Sequence, residues 1–484
     1  MRGVGAGSML SSVVSADAAS STSICVALSF SRHRPSQNQA KDSGSTRLNP
    51  IGTAAPKTAP MHPAADHLTR APKARPARIV LATIIGNAFV AYDFTVYSFS
   101  AVIIGKLFFP SHNPLSSLLL SLATFGAGFV MRPLGAIIIG QIANNRGRNA
   151  GMTWSLAFMT LGTWLIACLP TVASIGPAAT VLMVVARLMQ GLAAGGEIGP
   201  ASAVLMESVP RNRRCYLTSW RGASQGAAAF AAAMVGAITT ALLAPADMLE
   251  WGWRIPFVLG GLIGPVGWYL RRRMPSIVME VPKRPRLATL FSEHARPLVY
   301  GTLMMAAPSI GIYITVFYMP SYLVRTLHRP PVISLLTASL SGLVILVVNP
   351  LVARIADGQK RRKPIQYLAL VVCLALTYPA FLALRMGVSD VTALLIILAY
   401  VAVALSNAGA STVMMLEAFA PQHRAAALSI MYSFGVAIFG GFSPLIVTWL
   451  IAKTGNPMMP AWYLIVAICI TLFALQRFPE NTPE

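Results

Sequence analysis

Four ionisable side chains stand where charge is costly. Of 15 acidic and 38 basic residues in the chain, only Asp93, Glu197, Arg132 and Arg187 fall well inside long apolar stretches. A charged group in hydrocarbon costs roughly 3 kcal/mol or more, so such residues face a cavity or a partner and mark ion or substrate paths. Gly86, Val90, Asp93 and Tyr97 follow the i, i+4, i+7, i+11 spacing of one helix face. A carboxylate on that face, partly removed from water, could bind and release a proton near neutral pH. The other reading of Asp93 is a structural ion pair with Arg132 on the neighbouring segment.

Gln190 and Glu197 are seven residues apart and nearly eclipsed on their helix, with Arg187 one turn before Gln190. Arg187 could dock a substrate carboxylate, with Glu197 as a second protonatable group. Alternatively, both belong to a packing network among Gly191, Gly195 and Gly196, which permit close helix approach. Arg132 precedes Pro133, which frees a backbone carbonyl. Its guanidinium could grip a carboxylate in bidentate fashion or snorkel to the interface. In the second half the intramembrane polar groups are neutral: Tyr313, Tyr318, Tyr322, Asn349, Ser406 and Asn407. Tyr97, Tyr318, Asn407 and Gln190 are the hydrogen-bonding candidates for substrate.

These residues need apolar helices to hold them. The chain of 484 residues is 55% hydrophobic and 11% charged, with a net charge of +23 and a mean hydropathy of +0.63. A soluble domain carries about a quarter charged residues, so most of this surface must meet lipid. From Ile79 onward, apolar runs of about 20 residues succeed one another, and twelve can be counted, centred from Ala91 to Ala467. They are expected to be helices, because a lone strand cannot satisfy its backbone in a bilayer. Basic residues recur in every second loop: Arg146 and Arg148, Arg211 to Arg214, Arg271 to Arg286, Lys360 to Lys363, then Arg424. That pattern predicts both termini in the cytoplasm and explains the charge without nucleic acid, and the expected location is a bacterial inner membrane. The scattered Cys and His residues suggest neither a disulfide framework nor a metal, and no cofactor is expected.

The loops repeat. Gly140-Gln-Ile-Ala-Asn-Asn-Arg146-Gly147-Arg148 is echoed by Arg354-Ile-Ala-Asp357-Gly-Gln-Lys-Arg-Arg362, and Glu207-Ser-Val-Pro-Arg-Asn-Arg213 by Glu417-Ala-Phe-Ala-Pro-Gln-His-Arg424. The offset of about 210 residues predicts two parallel six-helix halves. The expected organisation is a basic, disordered tail over 1–76, with Met61 an alternative start; a first bundle over 77–272; a linker over 273–296; a second bundle over 297–478; and a tail over 479–484.

With Arg132-Pro-Leu-Gly135, Arg187-Leu-Met-Gln-Gly191, Gly195-Gly-Glu197, Ser224-Gln-Gly226 and Trp251-Gly-Trp-Arg-Ile-Pro-Phe257 in this order, the chain resembles the major facilitator superfamily. Within it the chain is most similar to the metabolite:proton symporters, and closest to the citrate and organic-acid carriers. The resemblance implies an all-α membrane fold of twelve helices and alternating access. It implies a small organic anion and protons as partners, with the lipid bilayer around a monomer, and no enzymatic chemistry. It also implies gating by Gly140, Arg146, Gly147, Arg148, Asp357, Glu207 and Glu417. Two departures stand out: Val90 where the group usually has glutamate, and Asn144-Asn145 where it has an aspartate and a basic residue. They leave open a facilitator with weak coupling, and a proline or betaine carrier of the same group is the other alternative.

Overall fold

The computed structural model describes residues 76–146, 148–207, 209–272, 287–406 and 408–480. The tail before Pro76, most of the linker and the last four residues lie outside them. So do Gly147 and Asn407, and the side chain of Arg148.

Every regular element among the described residues is helical. Helix α1 spans Pro76–Phe108, α2 Pro114–Arg146 and α3 Arg148–Cys168. Helix α4 runs Ala178–Gly195 and, after a break at Gly196 and Glu197, Ile198–Glu207. Then come α5, Arg214–Leu242, and α6, Ile255–Arg272. Helix α7 begins at Leu287–Leu303, inside the stretch expected as linker, kinks at His294, and continues through Ala306–Ile312, a π-helical stretch Tyr313–Tyr318 and Met319–Arg325. Helices α8, Pro331–Asp357, and α9, Lys363–Arg385, follow. Helix α10 runs Asp390–Ala404 and Ala408–Glu417, α11 Pro421–Gly435 through Ser443–Thr454, and α12 Met459–Arg477. Among the described residues, eleven spans are long and apolar enough to cross a bilayer. Helix α6, 18 residues long, stands at the remaining expected position.

Local chemistry sets the ends. Pro114, Pro331 and Pro421 open their helices, where a missing N–H costs nothing. Gly455 closes α11 in the left-handed conformation (φ 65°) that glycine adopts without strain. Large apolar side chains such as Leu242, Leu368 and Val391 remain exposed along the spans. In water these would form a sticky patch, whereas in a bilayer they meet acyl chains.

The repeat seen in the loops governs the packing. Across the two halves, α5 packs on α8 and α2 packs on α11. These two contacts are counterparts, since α5 matches α11 and α2 matches α8 in the repeat. The breaks correspond too: α4 is interrupted at Gly196 and Glu197, and α10 between Ala404 and Ala408.

Candidate functional site

The intramembrane charges do not all share one environment. Asp93 on α1 and Arg187 on α4 form an ion pair at 3.2 Å with both side chains fully buried. Around it, Gln190 Nε2 and Thr163 Oγ1 donate to Asp93 Oδ1 at 2.8 and 2.7 Å, and Arg187 Nη1 donates to Gln190 Oε1 at 2.6 Å. The guanidinium also lies over the rings of Tyr97 at 4.2 Å and Phe94 at 4.5 Å. Its Nε and Nη2 have no hydrogen-bond partner. The π faces of these rings offer partial compensation.

Helix geometry permits this. A Cβ at Gly191 would collide with the carbonyl of Gly128 on α2. Glycine there lets α2 and α4 touch backbone to backbone, which carries Arg187 inward to α1. Gly195 does the same beside the Arg132 carbonyl, while Gly196 fits against the Ile139 side chain.

Next to this sealed pair, between the two halves, lies a cavity of about 170 Å³. That is room for on the order of ten waters, or one small organic molecule. Arg132, Glu197 and Arg221 line it, with Asn87, Tyr313 and Tyr432 among its polar neighbours. Arg132 lies 4.2 Å from the Phe129 ring centroid and 4.9 Å from that of Phe94, so Phe94 touches both the sealed arginine and the cavity arginine. Arg221 crosses the half interface to the Tyr432 ring at 5.0 Å. Arg132 Nε and Arg221 Nη1 are buried and have no hydrogen-bond partner.

Several expectations change here. The partner of Asp93 is Arg187 and not Arg132, because the glycine contact brings α4, rather than the side chain of α2, up to α1. Arg187, Asp93, Gln190 and Tyr97 are packed behind the cavity wall, while Arg132 and Glu197 lie on it. Tyr318 does not line the cavity either: its ring meets that of Tyr322 at 6.3 Å, while Tyr313 reaches the cavity wall. Val90, where the resembled group has glutamate, is on the wall and leaves that position uncharged. The buried arginine that sequence reasoning missed is Arg221. It follows Arg211, Arg213 and Arg214 so closely that it reads as part of a loop, yet it lies two turns into α5 and is 6% exposed. Asn87 is its companion: Nδ2 donates to the Arg221 carbonyl and to Ser224 Oγ, both at 2.8 Å.

At the face carrying the basic loops the halves are joined by crossed charges. Arg214 pairs with Glu417 at 3.0 Å, and Arg424 with Glu207 at 3.6 Å. Each glutamate and each arginine has its counterpart about 210 residues away, so the repeat creates the pairing. Asp357, at the end of α8, accepts the backbone N–H groups of Cys215 and Tyr216 at 2.8 Å each. A carboxylate at a helix N-terminus satisfies orphan donors and meets the positive end of the dipole. Arg362 braces the same corner, 2.9 Å from Glu417 and 3.9 Å from Asp357. Burial works against its charge, but Glu417, Cys215 and Asp357 together raise its pKa above the ordinary value. Gly140 has open space around its Cα, and Arg146 is exposed. On the other side of the cavity Ser98 Oγ donates to the Phe317 carbonyl at 3.1 Å, and Phe125 and Phe129 meet Tyr313 edge-on. The halves thus touch on both flanks of the cavity.

The fold and sequence have clear relatives. The family model described as Major Facilitator Superfamily matches residues 77–415. A citrate-proton symporter of Klebsiella pneumoniae is 33% identical over 397 residues, covering 81% of this chain and 89% of that one. A proline/betaine transporter of Salmonella typhimurium is 30% identical over 413 residues, 82% of each chain. Among solved structures, a D-xylose-proton symporter superposes with a TM-score of 0.70 at 19% identity, over 84% of this chain and 98% of that one. Two six-helix halves, a central cavity and crossed inter-half charges therefore have one common frame: the chain is a multi-pass membrane protein that belongs to the major facilitator superfamily.

Proposed function

We propose that the chain moves a small organic acid, a citrate-like tricarboxylate or a dicarboxylate, together with protons across the bacterial inner membrane by alternating access. Both termini lie in the cytoplasm, which puts the crossed ion pairs on the inner side, and the protein works as a monomer and not as an enzyme. One observation carries this reading: two buried arginines, Arg132 and Arg221, line a central cavity beside the sealed Asp93–Arg187 pair. Guanidinium groups match carboxylates in charge and geometry.

The coupling follows from electrostatics. Protonation of Asp93 removes the counter-charge of Arg187, and a buried charge without a partner is expensive. A substrate carboxylate held near Phe94 restores a negative field close to Arg187. Proton and anion therefore favour each other's binding, and by linkage the preference is reciprocal. Glu197, on the cavity wall, is the second protonatable group. The crossed charges Glu207–Arg424 and Arg214–Glu417, with Asp357 capping α5, hold the inner side shut. When they part, the halves rock and both cargoes leave inward. The citrate-proton symporter relative supports the substrate class.

A zwitterionic osmolyte is the second reading. Glu197 beside two arginines offers both signs of charge to one ligand, and the proline/betaine relative fits it. Uptake into liposomes of labelled citrate, a C4 dicarboxylate, shikimate and proline, with and without an inward proton gradient, separates the cases. Gradient-driven uptake of an acid, lost in Asp93→Asn, is the expected result. Acid uptake indifferent to both means a facilitator, and uptake of proline alone sinks the organic-acid reading.

A further inference from the structure

The central cavity is lopsided. In the first half its described lining comes from α1, α2, α4 and α5, with no residue of α3 or α6. In the second half, α9 and α12 reach it as well, through Ala369, Leu370 and Cys373 on one side and Leu464 and Ile468 on the other. A lobe therefore enters the interior of the second bundle, under the turn at Met304 and Met305 where α7 is interrupted.

The two ends of this space differ in chemistry. Among the described lining residues the charged ones, Arg132, Glu197 and Arg221, belong to the first half. Three polar groups deep in the lobe are already engaged with protein. Gln366 Nε2 contacts Met414 Sδ at 3.4 Å, and the Tyr400 hydroxyl bonds Thr377 Oγ1 at 2.9 Å. Thr471 Oγ1 accepts the Ala307 N–H at 2.8 Å. Most of the remaining lobe wall is methionine, leucine, isoleucine and valine surface, which holds water poorly and takes up apolar groups.

Given the organic-acid reading above, on which this step rests, we infer that the transported acid carries an aromatic or branched apolar body opposite its carboxylates. The carboxylates face Arg132 and Arg221, and the body fills the lobe between α7, α9, α10 and α12. Such a ligand would span both halves, with its charged end on one and its apolar end on the other.

Succinate and benzylsuccinate share a dicarboxylate head and differ by one benzyl group. Binding of each to the purified full-length protein, by calorimetry, tests the lobe directly. Burying the ring in the lobe should make benzylsuccinate about 10- to 100-fold tighter than succinate. In Ala369→Phe, whose new ring would occupy the lobe, that ratio should fall to about 3 or less on the same scale. Succinate binding in the same preparation reports that the variant is folded. Equal or weaker binding of benzylsuccinate by the unmodified protein overturns the inference while leaving the organic-acid reading intact. An undiminished ratio in Ala369→Phe overturns it too. Binding of neither acid, with proline bound instead, removes the organic-acid reading and this inference with it.

Discussion

Removing one charge of the sealed pair should hurt far more than removing both. Asp93 and Arg187 are 3.2 Å apart with no exposed side-chain surface. At an effective dielectric near 20, that separation corresponds to roughly 5 kcal/mol of attraction. Asp93→Asn keeps the shape and part of the hydrogen bonding to Thr163 and Gln190, but strands the Arg187 charge. Breaking a buried pair in this way costs about 3–5 kcal/mol. Arg187→Gln together with Asp93→Asn leaves two neutral amides in place of two charges, and the double variant should be more stable than Asp93→Asn alone. The coupling expected in the double-mutant cycle is about 3 kcal/mol. Equilibrium unfolding in mixed detergent micelles measures it, and the buried thiols of Cys215 and Cys373 serve as reporters of opening. Asp93→Asn as stable as the unmodified protein, or a double variant whose loss equals the sum of the single losses, would refute the reasoning. The first outcome would mean that the Arg187 guanidinium reaches water or another partner. The second would mean that the two side chains act separately.

The cavity arginines should act on substrate affinity: Arg132→Gln and Arg221→Gln are each expected to raise the KM for acid uptake about 10- to 100-fold, the range for losing a charged hydrogen bond, as read by initial uptake rates. The crossed pairs are partly exposed, so each contributes about 1 kcal/mol or less. Glu207→Gln is therefore expected to leave the protein folded yet speed maleimide labelling of Cys215, and the swap Glu207→Arg with Arg424→Glu to restore the slow rate that either single change disturbs. Gly191→Leu should prevent α2 and α4 from meeting at the Gly128 carbonyl, with loss of monodisperse protein in size-exclusion chromatography, whereas Gly140→Ala, which meets open space, should be tolerated.

The helical membrane fold and the two-half repeat were legible in the sequence because both depend on local quantities. A 20-residue apolar run has one stable form in lipid. The offset between Glu207 and Glu417 was visible for the same reason. That Glu207 meets Arg424 and Glu417 meets Arg214 was not, since crossing depends on how the halves face each other. Asp93 and Arg187 could be singled out by the cost of intramembrane charge, yet their pairing was undecided. Which neighbour a side chain reaches depends on the distance between helix axes, and glycine at 128 and 191 sets that distance only once α2 and α4 are packed. Arg221 was hidden by its neighbours in sequence, because a run of arginines looks the same whether its last member is in the loop or two turns inside the helix. That Tyr313 reaches the cavity while Tyr318 faces Tyr322 depends on how α7 is rotated against its neighbours, which α7 alone does not encode. The lobe in the second bundle belongs to the same class: a void is what four helices leave between them, and no single helix encodes it.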